Sequence, residues 1–179
     1  MKIKCKVLTA GCEPVIIEKG DWIDLVLAED TTLPAPKISR VVTKKDSERL
    51  SVDARYKKLE CTNYYLPLGV AMKLPEGYEA IILPRSSTFK KHGIILSNSQ
   101  GIIDNTFCGN SDEWKAAVIP LKDTTINKGT RIVQFKIQLS QKATVWQKLK
   151  WLFSSKIEFE YVEDLGGNDR GGFGSTGDK

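Results

Sequence analysis

The C-terminal end of the chain carries residue types that suit a planar base and a polyphosphate. Four glycines fall between positions 171 and 177, and glycine loses so much backbone freedom on ordering that neither helix nor strand is expected there. Arg170, Phe173 and the adjacent hydroxyls of Ser175 and Thr176 accompany them. Glycine lets N–H groups approach phosphate oxygens, arginine donates a charged fork of hydrogen bonds, and the ring offers a face for stacking. A flexible tail without a role is the alternative.

A second pattern is the turn Pro84–Thr88, which directly follows the apolar run Tyr78–Leu83. A strand that stops at proline and continues with Arg85, Ser86 and Ser87 brings a guanidinium and two hydroxyls to one point. Backbone N–H groups beyond the strand are free to meet an anion there. The turn therefore predicts an anion-binding position, and an ordinary polar turn is the alternative.

A third pattern places a carboxylate at the end of an apolar strand. Asp104 follows Ile102 and Ile103, and Gly109 closes a turn five residues later. Restricted solvation changes the basicity of a carboxylate, so Asp104 is a candidate for accepting a proton from water. An aspartate that starts a turn is the alternative. Asn98 offers the amide donor and acceptor that reading a pyrimidine edge requires.

Charged and polar residues also interrupt two apolar runs. Asp24 lies between Ile23 and Leu25, where a carboxylate must be paired or must serve a cation. A magnesium-linked role and a buried salt bridge therefore both stay open. Arg131 and Gln134 begin another apolar run, where Arg131 is a candidate for a structural ion pair.

Short strands between turns must position these groups. Turn residues at 75–77, 108–110 and 127–129 separate apolar or alternating runs, which favours an all-β barrel or sandwich over repeated βαβ units. The predicted strands are Ile3–Leu8, Trp22–Leu27, Tyr65–Lys73, Tyr78–Leu83, Gly93–Leu96, Ala116–Leu121 and Arg131–Leu139.

Two stretches depart from the strand pattern. Residues 29–62 are polar and charged, which predicts a surface excursion, and Ser47 could cap a short helix over Glu48–Leu59. Residues 141–154 place Val145, Leu149 and Leu152 on one helical stripe, which predicts an extra helix packed on the sheets. A surface for a protein partner is the alternative for this helix.

Composition is typical of one globular domain. The chain has 179 residues, 41% of them hydrophobic and 27% charged, and no apolar run approaches the roughly 18–20 residues that span a bilayer. The N-terminus lacks the apolar segment of a signal peptide. Four cysteines without a CxxC pair and a single histidine argue against a zinc site or a disulfide framework. We therefore expect reduced thiols, a cytoplasmic location and no membrane partner.

The formal net charge of +5 suits a polyanionic small ligand. Basic and aromatic residues do not alternate in a repeated register, so nucleic acid is an unlikely partner.

The segments around Asp24, Pro84–Thr88, Asp104, Arg131–Gln134 and Arg170–Gly177, in their order along the chain, resemble the deoxyuridine triphosphatase (dUTPase) family of all-β trimers. The similarity covers roughly residues 17–27, 66–138 and 157–177, and the combination of segments makes it specific. It implies hydrolysis of dUTP to dUMP and pyrophosphate. It also implies a distorted β-barrel or jelly roll over residues 1–164, one or two short helices, and a flexible Gly-rich arm over 165–179.

The resemblance implies roles around the base and the sugar. Asp104 would activate the attacking water, and Asn98 would contact the uracil together with main-chain groups at Gly101 and Ile103. Phe107 stands where the family usually has tyrosine, and its ring would still press on the sugar. The stretch from Gly109 to Trp114 departs from the family's usual Gly-Glu continuation.

Further roles are implied around the phosphates. Arg85, Ser86 and Ser87 would bind them, Gln134 would support these residues, and Asp24 would hold Mg²⁺ through water. In the family the three sites lie between subunits of a homotrimer.

The resemblance also implies that the arm is donated across this trimer. Arg170, Ser175 and Thr176 would then grip the terminal phosphate, Phe173 would stack on the uracil, and Gly174 would also contact the substrate. Two rival functions stay open: a dCTP deaminase-like enzyme of the same fold, and a nucleotide-binding regulatory protein with a protein partner.

Overall fold

Strands dominate the fold. The structure is a computed structural model that describes residues 1–41, 56–153 and 156–172, and within them it confirms the predicted all-β class. The strands are β1 Lys2–Val7, β2 Val15–Ile16, β3 Ile23–Val26, β4 Thr31–Leu33, β5 Lys37–Val41, β6 Tyr56–Glu60, β7 Tyr64–Pro67, β8 Val70–Lys73, β9 Tyr78–Pro84, β10 Ile94–Leu96, β11 Gly101–Asp104, β12 Lys115–Pro120, β13 Thr124–Ile126, β14 Arg131–Leu139 and β15 Glu158–Tyr161. The helices are α1 Thr88–His92 and α2 Val145–Leu152.

The largest sheet has the order β11-β9-β14-β3-β2, so β9 lies between β11 and β14. Side chains along β9 alternate between buried and partly exposed, because successive residues of a strand point to opposite faces. All pairings in this sheet are antiparallel. The position of β9 between these two strands matters because candidate site residues lie near both of its ends.

Two three-stranded sheets pack with this one around a single apolar core. Their orders are β15-β1-β8 and β10-β12-β7, and β15 runs parallel to β1 near the chain ends. Trp114 and Phe135 are fully buried at the centre, with ring centroids 5.2 Å apart in an edge-to-face arrangement. At the start of the arm, Leu165 is also fully buried, so this end of the chain packs on the body.

Two sequence-based expectations were wrong in detail. The single strand predicted over Tyr65–Lys73 is interrupted at Gly69, whose φ of +67° lies in the left-handed region that favours glycine. The helix predicted over Glu48–Leu59 ends in residues that form β6 instead, while residues 42–55 lie outside the described part. β6 pairs with β5 in a two-stranded sheet over five positions, a long-range pairing that a thin apolar stripe in the sequence does not reveal.

The predicted helix in 141–154 is confirmed over Val145–Leu152, with a capping box between Thr144 and Gln147. Its packing face was predicted wrongly. Trp151 packs on Tyr78 with ring centroids 5.6 Å apart, whereas the stripe of Val145, Leu149 and Leu152 is exposed. Gln147, which donates to the carbonyl of Glu76 at 2.9 Å, lies on the same inward face as Trp151, because residues four apart share a face.

No helix in the described ranges is both long and apolar enough to cross a bilayer.

Candidate active site

A cavity of about 290 Å³ brings together six of the predicted site residues. One wall comes from β11 and the turns on either side of it, and the arm passes over the opposite side. The six residues are Asn98, Gly101, Ile103, Asp104, Phe107 and Arg170. Lys115, at the start of β12, lines the same space although sequence reasoning assigned it no role. The volume is near the lower end of ordinary small-ligand pockets.

Asp104 is the carboxylate of this cavity, and its two oxygens are heavily hydrogen-bonded. Oδ1 accepts the backbone N–H of Thr106 at 2.8 Å and its hydroxyl at 2.6 Å. Nη1 of Arg170 lies 3.0 Å from Oδ1 and 2.9 Å from Oδ2. Asp104 therefore starts a turn, as the alternative interpretation had it, and it also lines the cavity. Its role in accepting a proton from water stays a prediction.

These contacts set the charge of Asp104. Partial burial alone would raise the pKa of the carboxyl, but the hydrogen bonds from Thr106 and the charge of Arg170 outweigh it and hold the pKa below its ordinary value. Asp104 is thus ionised at neutral pH. Sequence reasoning missed Thr106, although a hydroxyl residue two positions after an aspartate is a recognisable turn signal.

Asp24 lies in a second cluster, where it is buried between two arginines. Nε of Arg85 is 3.0 Å from Oδ1, and Nη1 of Arg131 is 3.2 Å from Oδ2. The carboxylate is only 4% exposed, and a charge can be buried in this way only when it is paired. The buried salt bridge is therefore present, and Arg131 makes the ion pair that its place in the sequence indicated.

The remaining phosphate candidates lie around the same end of β9. Gln134 donates from Nε2 to the carbonyl of Pro84 at 3.3 Å. Ser87 is the N-cap residue just before α1 and makes no side-chain capping bond, and Ser86 is exposed. Thr88, which sequence reasoning passed over, anchors the turn by donating to the carbonyl of Ile132 at 2.6 Å. The turn is thus held rigidly while its two serines stay accessible.

Replacing Asp24 with asparagine is expected to lower the free energy of unfolding by about 3–5 kcal/mol, because two guanidinium groups lose their buried counter-charge. Urea unfolding of both proteins measures this difference. Asp21→Asn is the matched control, since Asp21 is exposed in the same segment. Equal loss in the two variants would contradict a role for the buried cluster.

The two clusters lie near opposite ends of β9. Asp104 pairs with Glu79 near the start of β9, and Arg85 follows its last residue. Six residues at 3.3–3.4 Å each separate the two positions by about 20 Å, which exceeds the length of a triphosphate. Within one chain, the residues predicted to bind the base and those predicted to bind the phosphates therefore form two separate clusters.

The residues do not fit a protein-bound metal. No group of three or more histidine, cysteine, aspartate or glutamate side chains that could hold an ion occurs in the described ranges. Both oxygens of Asp24, the predicted outer ligand of Mg²⁺, already face guanidinium groups. The net charge of this cluster is positive, so it attracts anions rather than cations.

The described start of the arm enters the cavity of its own chain beside Phe107, and donation of the arm across a trimer stays a prediction. A Cβ atom placed on Gly172 would lie 3.1 Å from Cε2 of Phe107, so the arm backbone lies close against this ring. The arm residues Phe173, Gly174, Ser175 and Thr176 lie outside the described residues. Their predicted contacts with uracil and phosphate stay predictions.

Sequence comparison finds a match to known proteins over most or all of the chain. A family model described as dUTPase matches residues 49–150. The chain is 42% identical to the SPbeta prophage-derived deoxyuridine 5'-triphosphate nucleotidohydrolase YosS of Bacillus subtilis (strain 168), over 100% of both chains.

Solved structures show the same fold. A dUTPase from Streptococcus mutans has a TM-score of 0.55 at 21% identity, over 72% of this chain and 86% of that chain. A mutant dUTPase from phage phi11 of S. aureus, described with the coordination of a structural Mg(II) ion, has a TM-score of 0.56 at 15% identity, over 80% of this chain and 94% of that chain.

Proposed function

Because this chain belongs to the dUTPase family, we propose that it hydrolyses dUTP to dUMP and pyrophosphate. The observation that carries the proposal is an ionised carboxylate, Asp104, in a small cavity that it shares with Asn98, Phe107 and Arg170. The cavity offers an amide for a pyrimidine edge, a ring for the sugar and a cation for phosphate. This is the donor set that a deoxyuridine nucleotide needs.

The proposed reaction is an in-line displacement at the α-phosphorus. A water oxygen forms the new bond to that phosphorus, the bond to the bridging oxygen of the β-phosphate breaks, and pyrophosphate leaves. Asp104 orients the water and accepts its proton, which turns the carboxylate into a carboxylic acid. Holding water and phosphorus in line supplies roughly 7–11 kcal/mol of the barrier.

Arg170 must change partner during this cycle. Without substrate its guanidinium lies on Asp104 and lowers the basicity of the carboxylate. A triphosphate is a stronger competitor for the guanidinium because it carries several charged oxygens. When Arg170 moves to the phosphates, Asp104 regains basicity and keeps its orientation through Thr106.

Replacing Thr106 with alanine is expected to move the acid limb of the kcat/KM profile to higher pH. The hydroxyl of Thr106 is one of the groups that lower the pKa of Asp104, so its loss raises the pKa at which the free enzyme gains its active carboxylate. The profile of Thr106→Ser should stay close to that of the unaltered protein. An unchanged acid limb in Thr106→Ala would show that Asp104 does not control it.

We also propose a homotrimer with shared sites. The separation of about 20 Å between Asp104 and Arg85 along β9 supports this, because a second copy is needed to place a phosphate cluster beside each Asp104. Light scattering of the purified protein should then give three times the 20.0 kDa of one chain.

Magnesium enters this proposal as part of the substrate. Since Asp24 is already paired with Arg85 and Arg131, the ion would arrive on the triphosphate rather than on the protein alone. It would neutralise phosphate charge there. A water-mediated contact from Asp24 to that ion stays a prediction.

All four cysteines are free thiols, which supports a reducing compartment such as the cytoplasm.

The test of function is pyrophosphate release from dUTP, dTTP, dCTP and UTP, with ammonia release from dCTP measured in parallel. We expect pyrophosphate from dUTP far above the other three. The rival deaminase chemistry needs a glutamate near the base, and none lines the cavity within the described ranges. Ammonia from dCTP, or an intact dUTP pool, would overturn the proposal.

A further inference from the structure

The loop Gly109–Asp112 is part of the stretch Gly109–Trp114 that departs from the family's usual sequence. It contacts residues 164–171, which we call the arm base. Asp112 is only 2% exposed, and its carboxylate is surrounded by backbone N–H groups. Oδ2 accepts from Gly109 at 2.9 Å and from Arg170 at 3.0 Å, and Oδ1 accepts from Gly171 at 3.0 Å. A single buried side chain thus joins its own loop to two consecutive residues of the arm.

Neighbouring side chains reinforce this junction from both directions. Oδ1 of Asn110 accepts the N–H of Leu165 at 3.0 Å, and its Nδ2 donates to Asp164 at 2.8 Å. In return, Oδ1 of Asp169 accepts the N–H of Ser111 at 2.7 Å. The contacts come from both segments, so neither can move away without leaving several groups of the other unpaired.

The backbones are also too close to admit side chains between them. A Cβ atom at Gly109 would collide with the backbone of Asp169, and one at Gly167 would collide with the backbone of Cys108. Such close approach at two glycines requires a defined docking geometry rather than a loose contact. Most of residues 164–171 therefore lie in direct contact with residues 108–112.

The charge of Asp112 makes the junction strong. Burial by itself would raise the pKa of this carboxyl, but the surrounding backbone N–H donors outweigh it and hold the pKa below its ordinary value. If the arm base undocked, two of these donors would leave a buried carboxylate behind, which is costly. The arm base is thereby held even when the side chain of Arg170 changes partner.

From this arrangement we infer that Asp112 is a positioning residue for the proposed reaction: it fixes the backbone of Arg170 so that the guanidinium reaches the cavity of Asp104. The inference rests on the proposed function only for the role of Arg170 in turnover. Asp112 touches no reacting atom; it acts through the arm. Docking of the arm base itself is a structural statement that can be tested without substrate.

The first test is trypsin cleavage after Arg170 in the full chain, followed by mass spectrometry of the product that lacks residues 171–179. Asp112→Asn replaces a charged acceptor with an amide of the same size, and hydrogen bonds to a charged group are roughly twice as strong as those between neutral groups. We expect cleavage at least about tenfold faster, since 1.4 kcal/mol corresponds to a factor of ten. An unchanged cleavage rate would overturn the inference.

Two further variants distinguish release of the arm base from global unfolding. Asp123→Asn is the matched control, because Asp123 is an exposed carboxylate that accepts a backbone N–H from Ala35 at 2.7 Å, away from the arm. Its cleavage after Arg170 should equal that of the unaltered chain. Asn110→Ala releases Leu165 and Asp164 without touching a buried charge, and it should accelerate the same cleavage. Faster cleavage at all sites alike would indicate global unfolding and count against the inference.

The second test separates positioning from general stability by combining variants. In the full chain Asp112→Asn should lower kcat for dUTP at least about tenfold, whereas in a chain that ends at Asp169 it should change kcat little, because the arm it positions is gone. An equal loss in both backgrounds would assign Asp112 a merely structural role. If no variant hydrolyses dUTP, the proposed function fails, and the trypsin result still decides whether Asp112 holds the arm.

Discussion

Replacing Asp104 with asparagine is expected to lower kcat for dUTP by roughly 10²–10⁴-fold while nucleotide binding persists. Asparagine has the same shape, and its amide oxygen can still accept the hydrogen bonds that Thr106 donates to Asp104. It cannot take a proton from water at neutral pH, so the loss falls on the chemical step. Pyrophosphate release at saturating dUTP, and calorimetric binding of a nucleotide that resists hydrolysis, measure the two effects separately.

Asp123→Asn serves as the control for this substitution too, since it removes one exposed negative charge outside the cavity. Its kcat should match that of the unaltered protein. Asp104→Asn also releases Arg170 from its ion pair, so binding of the analogue should be equal or tighter. Turnover within a few-fold of normal in Asp104→Asn would exclude this carboxylate as the base.

Removing residues 170–179 is expected to lower kcat/KM by at least about 10²-fold, the effect of losing a single preorganised donor to developing charge. The deletion removes Arg170 together with the predicted contacts of Phe173, Ser175 and Thr176. The body should remain folded, because β15 pairs with β1 and Leu165 is buried before the cut. Steady-state kinetics and thermal unfolding of the shortened chain test both parts.

A shorter deletion, of residues 178–179 alone, is the matched control, because the resemblance assigns these two residues no role. It should retain full activity. If the chain that ends at Asp169 hydrolysed dUTP normally, the arm would not belong to the site and the proposed mechanism would lose its phosphate clamp.

For Asp24 the sequence predicts that the charge is compensated, but not by which residues. A carboxylate between Ile23 and Leu25 must be compensated, and this follows from the cost of burying charge. Its partners, Arg85 and Arg131, come from β-strand ends far along the chain. No local pattern joins them to Asp24, so the choice between a metal and a salt bridge stayed open until the strands were paired.

The helix α2 shows the same limit for packing. Periodicity predicted its existence correctly, since it acts within a few residues. It did not predict that Trp151 rather than Leu149 would face Tyr78. That choice depends on where the helix meets β9, which is a property of the assembled sheets.

By itself the sequence determined the β class, the turns at glycine and proline, and the types of residue at the site, because alternation, backbone freedom and side-chain chemistry are local. Tertiary structure alone decided which groups meet. Pairing of β9 with β11 and β14 separates Asp104 from Arg85, and the close approach of two distant backbones makes Asp112 the anchor of the arm. Both outcomes depend on contacts between segments far apart in the chain, which no short stretch of residues encodes.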